Sequence, residues 1–71
     1  MANTWTQVKR KILADIRAEI RESEQGRRRP VYGECPDGLT TRIYQVRYVD
    51  DQLQGKSLQT GAWLNIHRTL E

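Results

Sequence analysis

Three consecutive arginines, Arg27, Arg28 and Arg29, follow Gly26, and Arg10, Arg17 and Arg21 recur upstream at intervals of seven and four residues. The guanidinium group is a planar fork of donors suited to bidentate contact with phosphate or carboxylate. A string of such groups could follow a phosphate backbone, releasing counterions at each phosphate it neutralises. A structural reading competes with this one, because cations just past a helix C-terminus complement its partial negative charge. Three arginines in a row exceed what that complement requires, and they continue the line of Arg10, Arg17 and Arg21.

A second set comprises Arg47, Trp63, Asn65 and His67. On an exposed sheet face, an indole ring can stack a base while amides and a guanidinium take base edges and phosphate. The same composition anchors protein partners, where Trp and Arg are favoured. The bland alternative is that Trp63 rests against Ile43 and Val49 as a small satellite cluster. A second copy of the chain could also cover this face, and a homodimer formed there would bury Trp63.

Other chemistry is thinly represented. The chain holds one Cys, Cys35, and one His, His67, so neither an internal disulfide nor a Cys/His zinc set can form. Glu34 and Asp37 flank Cys35 and disfavour a thiolate, the opposite of an activated nucleophile's surroundings. His67 has no identifiable catalytic partner. Asp50-Asp51 and Glu34/Asp37 suit turns and lack calcium-loop spacing. No glycine-rich phosphate loop occurs. An enzyme is therefore not expected, and neither is a cofactor or a metal.

With 71 residues the chain is read as one small domain over 1–69, with Leu70-Glu71 as a cloning remnant. Charged residues make up 30% of it, and 12 Lys+Arg against 9 Asp+Glu give a net charge of +3, a modest bias toward polyanionic partners. The basic residues are mostly arginine. No apolar run reaches the roughly 18 residues of a membrane span, and no signal peptide is recognisable. With a single unpaired Cys, these features point to the cytoplasm.

The elements that must position these groups follow from apolar spacing. Trp5, Val8, Ile12, Ile16 and Ile20 recur every three or four residues, with Leu13 widening the stripe, which predicts one amphipathic helix over 3–26. Thr4 and Gln7 fit a capping box, and Gly26 fits a left-handed terminus. At about 100° per residue, Arg10, Arg17 and Arg21 fall within about 40° of one another on one border of the apolar arc. Asp15, Glu19 and Glu22 lie on the other border. Lys9 and Glu19 intrude on the arc. Snorkelling suits Lys9, and Glu19 could snorkel or pair with an arginine.

Beyond the helix, "PVYGEC" and "LTTRIYQVRYV" flank the turn Pro36-Asp37-Gly38. A three-residue loop there sets Cys35 opposite Leu39 and Tyr32 opposite Arg42. A third strand is expected over "SLQTGAWLNIH". Parity disfavours a tight turn at Gln54-Gly55 and favours a loop over 50–56, with Tyr48 near Leu58. The predicted fold is α+β, an N-terminal amphipathic helix packed on a three-stranded antiparallel meander (α-β-β-β). The helix would cover Tyr44, Val46, Tyr48, Leu58, Leu64 and Ile66, leaving Ile43, Gln45, Arg47, Val49, Trp63, Asn65 and His67 outside. The expected function is a small non-catalytic module that binds nucleic acid through an arginine ridge. The alternative is a protein-interaction module (adaptor, inhibitor or homodimeric subunit) acting through the face around Trp63.

Overall fold

The computed structural model describes residues 4–70, with the backbone of Thr4 but not its side chain. The expected capping box and Glu71 therefore lie outside the described residues. One helix, α1 (Thr4–Glu24), precedes five strands: β1 (Tyr32–Glu34), β2 (Thr40–Val49), β3 (Gln52–Ser57), β4 (Trp63–Asn65) and β5 (Arg68–Leu70). All strand pairings are antiparallel, in the spatial order β4-β3-β2-β1-β5. The fold is α+β as expected, but with five strands in place of three.

Helix α1 ends as the sequence predicts. Gly26 adopts a left-handed φ of +75°, its N–H reaches the Ser23 carbonyl at 3.0 Å, and the Arg27 N–H reaches the Glu22 carbonyl at 2.9 Å. These two bonds satisfy carbonyls that would otherwise be left open at the helix terminus. Ile16 and Ile20 are buried, and Ile12 and Leu13 are partly so. Trp5 and Val8, at the start of the stripe, remain exposed. That end is tied to the sheet by Lys9, whose ammonium lies 4.9 Å from the Trp5 ring and 5.7 Å from the Tyr48 ring and pairs with Asp51.

The β1–β2 hairpin has the expected register. Tyr32 faces Arg42, the Cys35 N–H donates to the Leu39 carbonyl at 2.7 Å, and Gly38 takes φ +91°. The second hairpin differs from expectation. It closes at Asp50-Asp51, whose φ values of +48° and +65° make a tight type I′ turn, so residues 52–57 form a strand and not a loop. Tyr48 faces Leu53 and Val46 faces Gly55. The expected third strand is likewise broken. Ser57 ends β3, and its buried hydroxyl accepts from the Gln59 and Thr60 N–H groups at 3.2 and 3.4 Å. The chain then turns through Gly61, at φ +73°, into β4.

A bulge between Ile43 and Gln45 resets the parity of β2. Before it, residues 40–42 pair with β1; from Ile43 onward the strand pairs with β3. A long strand bent at a bulge serves two parts of a sheet and turns its corner. Two expected placements are corrected here. The bulge puts Ile43 in the core, at 3% exposed, and the end of β3 at Ser57 leaves Leu58 in a turn, 51% exposed.

Only Ile66 and His67 separate β4 from β5, which lie at opposite edges of the sheet order. Three Cα steps span at most about 11 Å, whereas the outer strands of a flat five-stranded sheet stand about 19 Å apart. The sheet is therefore rolled. Two backbone bonds pin the link, from the Ile66 N–H to the Leu53 carbonyl of β3 at 2.8 Å and from the His67 N–H to the Glu34 carbonyl of β1 at 2.6 Å. Ile66, 2% exposed, fills the interior with Ile43, Val46 and Val31, and Ile16 and Ile20 of α1 close it. Glycines on two strands make room for Ile66: a Cβ on Gly33 would stand 2.5 Å from its Cδ1, and one on Gly55 would stand 3.0 Å from its Cγ1. No helix among the described residues is long and apolar enough to cross a membrane.

Candidate functional site

On the outer side of β2, β3 and β4 the registers stack two rows of side chains. Arg47, Gln54 and Asn65 face one another in one row, and Gln45, Lys56 and Trp63 in the next. Neighbours so placed are close enough for long side chains to interact. Arg47 Nε donates to Gln54 Oε1 at 2.9 Å, and Gln54 Nε2 donates to Asn65 Oδ1 at 3.1 Å. The Arg47 guanidinium lies 4.0 Å from the centroid of the Trp63 ring, a close cation–π contact. Lys56 Nζ stands 5.8 Å from Trp63 and 5.8 Å from Tyr44. Neither row contains a carboxylate.

Tyr44, expected under the helix, is only half-buried, and it links this face to α1. It lines a shallow concavity of about 200 Å³ with Arg17, Ile20, Gln45 and Val46. Arg17 leans across to the strand, its Nη2 at 3.4 Å from the Val46 carbonyl. Ring contacts run from Tyr44 through Lys56 and Trp63 to Arg47, and Tyr44 shares its concavity with Arg17. Arg10 and Arg21 are exposed on the same side of α1 as Arg17 by helical period.

The arginine run after the helix divides. Arg28 folds back to Glu19 at 3.5 Å and Glu22 at 3.8 Å, so Glu19 finds its arginine beside the helix and not in the sheet. The Arg27 and Arg29 side chains are exposed. The paired cations are Lys9 with Asp51, Lys11 with Asp15, Arg28 with Glu19 and Glu22, and Arg68 with Glu34. Among the described residues, Arg10, Arg17, Arg21, Arg27, Arg29, Arg42, Arg47 and Lys56 form no ion pair. The acidic border of α1 is thus largely neutralised, and the arginine border is not.

Of the sheet-face residues singled out by sequence, Arg47, Trp63 and Asn65 share one surface. His67 leaves it, because the chain turns inward at Ile66 and the His67 N–H bonds to β1. Lys56 and Gln54, expected in a loop, join the surface from β3. Cys35 borders a separate, mainly apolar groove of about 470 Å³ with Leu39, Ala62 and Leu64. Burial, and secondarily the Asp37 carboxylate, raise its thiol above the ordinary value, which disfavours the thiolate. No group of three or more His, Cys, Asp or Glu side chains that could hold a metal ion occurs among the described residues.

No protein-family model, curated protein or solved structure matches the chain.

Proposed function

We propose that the protein is a small non-catalytic module that binds nucleic acid, with phosphates held by Arg10, Arg17 and Arg21 of α1 and by Arg27 and Arg29 beyond it. The observation that carries this reading is the segregation of unpaired cations. Asp15, Glu19 and Glu22 of α1 are occupied by Lys11 and Arg28, while Arg10, Arg17 and Arg21 on the opposite border have no ion-pair partner among the described residues. Glu24, the one acidic residue on that border by helical period, pairs with none of them. Unpaired guanidinium groups in a line suit a repeating phosphate backbone. Arg28 is given a structural role, tying the post-helix segment to α1.

Fluorescence anisotropy with labelled DNA and RNA, single- and double-stranded, at about 50 and 200 mM salt tests the reading. The expected result is affinity that falls steeply with salt, with a slope reduced by about one for each phosphate-contacting arginine removed. An Arg27→Ala/Arg29→Ala variant that binds with unchanged affinity and slope would remove those two residues from the site. The competing reading is a protein-interaction face around Trp63, supported by the Arg47–Trp63 contact, since both residue types anchor interfaces. It predicts no nucleic-acid binding at either salt.

A further inference from the structure

The outer sheet face carries an arrangement of donors that a phosphate grip does not use. Because Gln54 accepts from Arg47 and donates to Asn65, both amides are held in a fixed orientation. The groups left over at the two ends of this row are donors: the terminal nitrogens of Arg47 and the amide nitrogen of Asn65. Beside the row lies the Trp63 ring, with Arg47 at 4.0 Å and Lys56 at 5.8 Å. A flat ring, cations at its face and oriented donors nearby make a complement for something planar, anionic and rich in acceptors. A duplex presents phosphates but keeps its base planes stacked inside. An unpaired strand presents base planes and base-edge acceptors as well. The absence of carboxylates from both rows of this face agrees with an anionic ligand.

Resting on the nucleic-acid reading above, we infer that this face is the base-contacting half of the site and that its ligand is single-stranded nucleic acid. A base joins the Trp63–Arg47 stack, its carbonyl or ring-nitrogen acceptors meet the free donors of Arg47 and Asn65, and Lys56 takes an adjacent phosphate. Tyr44, on the far side of Lys56, offers a second ring where the face meets the arginine border of α1.

Indole emission reports on this directly. In a Trp5→Phe background Trp63 is the sole Trp, and it can be titrated with three probes: an oligothymidylate, a DNA hairpin duplex of matched charge, and inorganic polyphosphate, which has phosphates without bases. The expected result is quenching by the oligothymidylate alone, and an affinity for it that drops about five- to 150-fold in Trp63→Leu with the salt slope unchanged. Arg47→Met, a variant that leaves the ring in place, should weaken oligothymidylate binding more than duplex or polyphosphate binding. If Trp63→Leu fails to fold, the emission titration and the Arg47→Met comparison decide the matter. Equal binding of all three probes with silent Trp63 emission overturns this inference and leaves the phosphate reading standing. Binding of none overturns both.

Discussion

The two interior glycines allow the rolled sheet to be tested by a double-mutant cycle. A methyl group at Gly33 would stand 2.5 Å from Ile66 Cδ1, 3.2 Å from Ile66 Cγ1 and 3.3 Å from Ile43 Cγ2. The first distance is a severe overlap, and Ile66 is 2% exposed, so its terminal methyl has little room to swing away. Overpacking of this kind costs about 1–3 kcal/mol, offset in part by the roughly 0.4–1 kcal/mol that replacing glycine removes from the unfolded chain's freedom. Gly33→Ala should thus destabilise by about 1–2 kcal/mol, lowering Tm by roughly 5–15 °C for a domain of this size.

Ile66→Val deletes the overlapping Cδ1 atom. Alone it should cost about 0.5–1.5 kcal/mol. In the Gly33→Ala background it relieves the overlap, so the double variant should be less destabilised than the two single effects together by about 1 kcal/mol. Urea denaturation followed by circular dichroism gives all four stabilities. Additivity within about 0.3–0.5 kcal/mol would mean that Gly33 and Ile66 are not in contact. The link between β4 and β5 would then not lie inside a rolled sheet, and the reasoning that places it there would fail.

Other consequences can be checked separately. Arg28→Ala should cost no more than about 1 kcal/mol of stability by urea denaturation, because its ion pairs are partly exposed, and should leave the salt slope of nucleic-acid binding unchanged, in contrast to Arg27→Ala/Arg29→Ala. Gly38→Ala, which forces a side chain onto φ +91°, should lower stability by more than about 1 kcal/mol with no packing loss, since nothing lies near the added methyl. The raised Cys35 thiol binds its proton more tightly in the folded state than in the unfolded chain. Its contribution is therefore fully present below the ordinary thiol value and is lost as pH rises through the folded one. Stability measured across that alkaline range should fall in the wild type and fall less in Cys35→Ser, and alkylation of the native thiol should stay slow at neutral pH.

Local signals carried the parts of the fold that were legible in the sequence. The three-and-four spacing from Ile12 to Ile20, Gly26 at the helix end and Pro36-Asp37-Gly38 each act within a few residues, and the structure has all of them in place. Strand β3 escaped for two physical reasons. Its turn uses Asp50-Asp51 in left-handed conformations without glycine, and its inward positions are Gly55, small because Ile43 and Ile66 occupy the space, and Ser57, a buried polar residue whose hydroxyl is hydrogen-bonded. "QLQGKS" consequently looks polar and loop-like although its alternation is sound. Ile43 faces the core and not the outside because one extra residue in a bulge reverses parity, which no spacing within β2 announces. Arg47, Trp63 and Asn65 share a face because they lie on extended strands. Lys56 and Gln54 are illegible for the same reason as the strand that carries them.

The bulge that defeats the parity argument also makes one surface out of two. By inserting a residue at Tyr44, it places that ring between the concavity under Arg17 and the ammonium of Lys56. Bulges commonly re-aim a side chain in this way. On the proposed reading, a strand held by its phosphates along α1 would pass over Tyr44 onto Trp63 without leaving the protein. Phosphate contacts position a nucleic acid, and base contacts discriminate among nucleic acids. Substitutions along α1 should therefore change salt dependence with little effect on the preference for unpaired strands. Substitutions at Trp63 or Arg47 should do the reverse. Tyr44→Leu, which removes the ring at the junction and leaves every charge in place, should weaken binding of long single strands more than that of short ones, because only a strand long enough to engage both surfaces must cross it.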